Sequence, residues 1–243
     1  MIDIGALLNG LPEGTALLAG AILASIGVTD ARTAWRAWHR ARGIAQAQGT
    51  TAADGRQVMR EGRAVAIGQP RPATLSGRPV VWDHWTVERR GRSRQSRWQI
   101  EEEGAGTAPF LLETEAGPVL VLPAGAHALA LPTRNWTSDE PRPARGPPSP
   151  AGFLAGLLRA RYRYTEEAAA PGQPLFVLGR ASAAQPEDPP GTIGRLGAGG
   201  AAFVIGGEPP ARAARREMRA TLIAGGSSAL FFGLAVMVLI LGA

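Results

Sequence analysis

The last 23 residues, Thr221 to Ala243, read TLIAGGSSALFFGLAVMVLILGA and carry no charged side chain. A helix rises 1.5 Å per residue, so this segment reaches roughly 35 Å, enough for a hydrocarbon layer of about 30 Å. A helix that is apolar on every face needs a buried or a lipid environment. Arg212, Arg215, Arg216 and Arg219 stand immediately before it. The segment reads as a transmembrane helix approached from its basic side, and the chain upstream is presented to that membrane surface.

A second apolar stretch, Thr15 to Val28, lies near the other end. Fourteen residues are short for a span. Pro12 suits a first helical position, however, and the helix can run on through Ala31 and Trp35. This predicts a span over about residues 12–34, with Trp35 and Trp38 in the interfacial belt and Arg36, Arg40 and Arg42 behind them. A cleaved signal peptide is the rival reading. Residues 1–14 contain Asp3 and Glu13 but no Arg, so the basic leader of such a peptide is missing.

The Arg flanks imply an orientation. Arg32, Arg36, Arg40 and Arg42 follow the first span, four more precede the second, and the outer flanks have none. The positive-inside rule then expects the middle of the chain in the cytoplasm and both termini outside. Ala16, Gly20 and Ala24 recur every four residues, as do Gly225, Ala229 and Gly233. Small residues at that spacing let helix backbones approach, so the spans are expected to pack on each other or on a second copy. The competing account is the general Ala and Gly richness of the chain.

All 26 basic residues are Arg, against 20 acidic ones, and the net charge is +6. Without Lys there is no P-loop lysine, Schiff base or Ser-Lys dyad. Without Cys there is no disulfide, thiolate nucleophile or Cys-held zinc. The basic balance beside two apolar spans points to anionic lipid rather than nucleic acid. The 20 Pro and 32 Gly predict short strands and many turns.

Between the spans the pattern is that of strands. Thr51 to Arg60 is expected as a short helix and Arg63 to Ile67 as a strand. Gln69 to Pro79 is turn material. PVVWDHWTVER, residues 79–89, alternates, with Val81, Asp83, Trp85 and Val87 on one face and Val80, Trp82, His84 and Thr86 on the other. Arg97 to Glu103 pairs back on it. Two apolar runs, 109–113 and 118–123, flank Gly117 as a hairpin. Ala128 to Leu131, Arg161 to Glu166, Leu175 to Arg180 and Ala201 to Ile205 complete the strands. Pro141 to Pro150 is an exposed loop, and Phe153 to Leu158 forms a short lateral helix. Gly191 to Gly200 is a loose segment. The expectation is a mainly β, small barrel-like domain over residues 43–208. It lies between an anchor over 1–42 and a helix over 209–243 whose span is 221–243. A barrel protects short strands from exposed edges.

At VVWDHWTVERR, APFLLETEAGPVLVLPAGA and RYTEEAAAPGQPLFVLGRA the chain resembles the GIDE or BAM ("beside a membrane") family. This is the membrane-flanked domain of the mitochondrial ubiquitin ligase MULAN and its prokaryotic relatives. Val81-Trp82, Pro109-Phe110 with the turn at Gly117, Glu166-Glu167 before Gly172 and Gly179, and Phe203 to Ile205 match in order. The resemblance implies a domain held beside a bilayer and association with E3 ubiquitin ligases. The eukaryotic ligase carries a C-terminal RING, whereas these residues contain no Cys, so no zinc ligand carries over. Its domain faces the intermembrane space, whereas the Arg flanks here favour the cytoplasm.

No catalytic constellation is expected. His39, His84 and His127 lack ligand spacing, Ser76-Gly77 is no nucleophile elbow, and the glycines at 194–200 sit outside any βαβ unit. Of Glu101, Glu102 and Glu103, strand alternation brings only Glu101 and Glu103 to one face, as a solvated strand end. The surface candidate is Arg89, Arg90, Arg92, Arg94 and Arg97, five guanidiniums in nine residues. They suit lipid phosphates or an anionic partner; the plain alternative is a solvated hairpin tip. No metal, cofactor or nucleic-acid partner is expected. The chain reads as a non-catalytic scaffold or partner-binding domain on the bilayer. Anionic-lipid binding is one alternative and ubiquitin transfer by homology another.

Overall fold

The computed structural model describes residues 13–47, 57–90, 97–139, 161–181, 192–194 and 203–241. Strands dominate between two long helices. α1, Glu13–Ala47, opens just after Pro12 and runs well beyond Trp35, through the turns that carry Arg36, Arg40 and Arg42. The strands in chain order are β1 Gln57–Ala66, β2 Arg71–Pro72, β3 Pro79–Val80, β4 Trp82–Arg90, β5 Trp98–Ala105, β6 Phe110–Thr114 and β7 Gly117–Leu122. They continue as β8 His127–Leu129, β9 Thr133–Ser138, β10 Tyr162–Ala169, β11 Pro174–Ala181, β12 Ile193–Gly194 and β13 Val204–Gly206. α2, Pro210–Leu241, starts on a proline at the position where its missing N–H costs nothing. Both helices are long and apolar enough to cross a membrane.

Contacts divide the chain into two units, residues 1–42 with 214–243, and residues 43–213. In the first, α1 and α2 run antiparallel in one register. Gly20 backs onto Leu239 and Gly27 onto Phe232, each with only 3.1 Å from an ideal Cβ to the facing side chain. Farther along, Ser227 Oγ donates to Asp30 at 2.5 Å and Ser228 Oγ to the Gly27 carbonyl at 2.9 Å. Arg40 Nε donates to Glu217 at 2.8 Å. Of the small residues expected at helix contacts, Gly20 is at one and Ala24 is half-buried. Ala229 is exposed, and a Cβ at Gly225 or Gly233 meets nothing within 4 Å. The side chain of Ala16 lies outside the described residues. The pairing uses Gly27 and the two serines, which the four-residue pattern passes over. Outward residues of α2 such as Leu222 and Ile223 are 70% and 75% exposed.

In the second unit one sheet runs β1-β6-β7-β12-β11-β13-β8, and β1 also pairs with β11. β1 is long enough to serve two partners: residues 57–63 register on β11 and residues 63–66 on β6. Gly62 sits at the changeover, where a Cβ would meet the Glu113 carbonyl oxygen at 2.2 Å. The core under this sheet gathers Trp82, Phe110, Leu112, Val177 and Ile205, among others. A separate antiparallel sheet, β5-β4-β10-β9, has its own cluster of Val87, Trp136 and Tyr164. Trp136 and Tyr164 stack there with ring centroids 5.5 Å apart.

The expectation of a barrel needs correction. Among the described residues the strands form no closed barrel: β12 links β7 to β11 through two residues, β8 ends the seven-stranded sheet, and the four-stranded sheet is separate. Of the helix expected over Thr51 to Arg60, residues 57–60 are instead strand β1, and residues 51–56 lie outside the described residues. Val58 is buried there against an Ala-rich sequence that reads as helical in isolation. Ile193 and Gly194 are paired strand rather than loose chain. The expected loop over 141–150 and lateral helix over 153–158 lie outside the described residues.

Candidate interaction surface on the four-stranded sheet

β4 separates two environments by simple alternation. Its inner face carries Asp83, Trp85 and Val87, and the neighbouring β10 adds Tyr164 and Glu166. Asp83 is fully buried, and its Oδ2 accepts the Thr74 N–H at 2.8 Å while its Oδ1 accepts from the Arg71 guanidinium. Glu166 is 2% exposed. Its Oε2 accepts the N–H groups of Leu75 and Ser76 at 3.0 and 2.9 Å, and its Oε1 the Ser76 hydroxyl. Buried carboxylates persist only when donors replace water, and here the donors all come from residues 71–76. The two carboxylates therefore pin the turn-rich segment between β2 and β3 onto the sheet. Gly106 leaves the room that the Arg71 guanidinium needs. The Ser76 hydroxyl is itself a donor to Glu166 and so belongs to this pinning network.

The outer face is solvated and polar. His84 lies between Glu103, 3.2 Å from Nε2, and Glu167, 3.3 Å from Nδ1. The hydrogen bond to Glu167 raises its pKa above the ordinary value; burial opposes that, and Glu103 adds to it. Beside it Thr165 donates to Asn135 at 2.8 Å. Arg163 grips Glu88 with two bonds, Nε at 2.5 Å and Nη2 at 2.6 Å, and the Glu88 bond holds its pKa further up. The same guanidinium lies 5.0 Å over the Trp98 ring. Ile100 is beside them and 63% exposed.

A β-bulge decides this composition. The register on β4 shifts between Val87 and Glu88, so Glu102 opposes Val87 and Ile100 opposes Glu88. One extra residue reverses the alternation from there on. Trp98 and Ile100 therefore share the face of Glu88 and Arg163. The convergence expected of Glu101 and Glu103 is thus corrected: Glu103 meets His84, and Glu101 pairs with Arg89 at 3.6 Å.

Of the Arg cluster, Arg89 and Arg90 close β4 and Arg97 precedes β5, all exposed, so the three stand together at one end of the sheet. Arg92 and Arg94 lie outside the described residues. The other two histidines are elsewhere: His39 packs edge-on against Trp35 and Trp38 on α1, and His127 is in β8. Among the described residues no three metal-ligating side chains converge. A separate groove of about 870 Å³ opens beside β1 and the β6–β7 turn, lined by Arg60, Arg63, Glu61, Glu113 and Glu115 among others. Arg63 there donates to the Gly172 carbonyl.

A family model described as GIDE, E3 ubiquitin ligase, matches residues 84–236, from His84 on β4 to Val236 in α2. No curated protein and no solved structure matches the chain. The matched stretch includes all four strands of the second sheet almost entire, the core strands β11 and β13, and most of α2. That is more than half of the 243 residues, and the chain belongs to the GIDE family.

Proposed function

We propose that this GIDE chain is a membrane-anchored, non-catalytic module that holds a protein partner at the bilayer surface. The observation that carries the reading is the outer corner of the four-stranded sheet. Trp98, Arg163 and the exposed Ile100 sit together, with Arg90 in register opposite Trp98. Tryptophan and arginine around an accessible aliphatic side chain is the composition of binding hot spots. The β5 edge beside them pairs only with β4 among the described residues, which leaves backbone groups for an added strand. A photo-crosslinking residue at Thr165 in living cells is expected to capture one discrete protein, and Ile100→Asp to abolish that adduct without unfolding the chain. Capture that is unchanged in Ile100→Asp overturns the assignment.

GIDE membership associates the chain with E3 ubiquitin ligases. These 243 residues hold no Cys and offer no thiolate to a RING zinc. With purified activating and conjugating enzymes the chain is expected to build no ubiquitin chains; a ladder would establish transfer. The Arg tip favours a second reading, contact with an anionic leaflet at about 1 kcal/mol per cation. In vesicles, brominated anionic lipid should then quench Trp98, and serine at Arg89, Arg90 and Arg97 should relieve the quenching.

A further inference from the structure

The antiparallel helix pair of the first unit carries an open cleft of about 390 Å³. Its floor is small, formed by Ala31 and Ala34 of α1 and Gly225 of α2, and its wall is the pair Trp35 and Trp38. Trp35 is 62% exposed and lies tilted against Trp38 with centroids 5.5 Å apart. The two hydroxyls in the lining are turned away from a ligand. Thr221 Oγ1 donates to the Glu217 carbonyl at 2.9 Å and Ser228 Oγ to the Gly27 carbonyl at 2.9 Å. What remains for an occupant is apolar surface with two indole rings.

The rim is different. One turn beyond Trp38, on the same helix face, the Arg42 guanidinium lies 5.0 Å over the Trp38 ring. Arg32 and Arg36 are exposed on the flank of α1 and Arg219 on α2. The acidic groups nearby are already bonded, Asp30 by Ser227 and Glu217 by Arg40. The cleft also sits at a definite depth. Toward Leu241 both helices are apolar, and toward Arg42 both carry Arg. An occupant with a long apolar body and an anionic head matches that order of surfaces, with tryptophan at the boundary. A second copy of the chain would present the same Arg residues to the rim and is disfavoured by charge.

We infer that this cleft binds one anionic phospholipid, its acyl portion on the Ala31–Ala34–Gly225 floor and its phosphate at Arg42. The inference rests on the membrane-anchoring part of the proposed function and not on the partner surface. Gly225 supplies the test, because a Cβ there meets nothing within 4 Å, so Gly225→Leu fills the cleft without disturbing a packed neighbour. Gly226→Leu makes the same chemical change next to it, at a position equally open and outside the lining. The detergent-solubilised full chain is compared by native mass spectrometry after equilibration with equal phosphatidylglycerol and phosphatidylcholine. The wild-type chain and Gly226→Leu are expected to retain one phosphatidylglycerol at least tenfold over phosphatidylcholine. Gly225→Leu is expected to lose that retention, and Arg42→Gln to lose the preference between headgroups. Equal retention of the two lipids by the wild-type chain, unchanged retention in Gly225→Leu, or a dimer in place of the lipid adduct each overturns the site. Failure of anchoring itself is read separately, as release of the wild-type chain from vesicles by alkaline carbonate.

Discussion

At Asp83 and Glu166 two buried carboxylates decide the course of a surface segment, and each makes a prediction that the sequence alone does not. Asp83→Ala strands the Arg71 guanidinium and the Thr74 N–H, and is expected to cost about 2–4 kcal/mol in chemical denaturation of the solubilised chain. Glu166→Gln keeps one oxygen for the Leu75 and Ser76 N–H groups and should cost roughly 1 kcal/mol, clearly less than Glu166→Ala. An equal loss for Gln and Ala would mean that the charge, not the acceptor, is what matters. Neither role was legible beforehand. The alternation of VVWDHWTVER places Asp83 on the face of Val81 and Val87, but an acidic residue on a buried face is only explained once donors 9 and 12 residues away fold over it. The sequence shows for His84 only that it lacks ligand spacing, because Glu103 and Glu167 reach it only across strand pairs. Its raised pKa stabilises the fold fully below the unfolded value of about 6.5, and that contribution is lost as pH rises through the folded value. The midpoint of thermal unfolding should thus fall as pH rises above about 6.5, and His84→Gln should flatten that part of the profile.

The elements show where periodicity is a sufficient guide and where it is not. β6 and β7 were readable because two apolar runs flank Gly117, whose φ of +115° suits only glycine. β9, TRNWTS, has one buried residue, Trp136, and no alternating apolar pattern, so only its pairing to β10 makes it a strand. The bulge in β5 was equally silent, and it is what turned Ile100 and Trp98 outward. β1 offers a direct test of how one strand serves two partners. Gly62→Ala forces a Cβ against backbone rather than against a movable side chain, and should cost about 2–3 kcal/mol by thermal unfolding. A neutral result would show that β1 and β6 separate there at little cost. The helix register is testable against a clean background, because the chain has no Cys. Cysteines at Gly27 and Phe232 are expected to cross-link within one chain on mild oxidation, whereas cysteines at Gly20 and Gly225 are not. The reverse pattern would refute the antiparallel register.

For the molecule as a whole, the decisive asymmetry is charge. Both apolar helices carry their Arg residues on the side that adjoins the β-rich segment, and the antiparallel register puts Arg40 beside Glu217. A bilayer that accepts the apolar halves must then keep that end of both helices in one aqueous compartment. From the positive-inside rule we propose that this compartment is the cytoplasm. In intact spheroplasts, a tag within residues 141–150 is expected to resist external protease while a tag after Ala243 is digested. If the loop tag is cut and the terminal tag survives, the β-rich unit faces outward, and the sheet corner at Trp98 and Ile100 has to be matched to envelope partners instead. If both tags are cut, α2 does not cross, since it alone lies between them; α1 is read by a tag before Met1, expected to be digested as well, and α1 is the weaker span. Its apolar window averages a hydropathy of 1.3 against 2.2 for α2, and Asp30 interrupts it where Ser227 of α2 donates the compensating hydrogen bond. Ser227→Ala should therefore reduce digestion of the tag before Met1 only if that pair holds α1 in the bilayer beside α2.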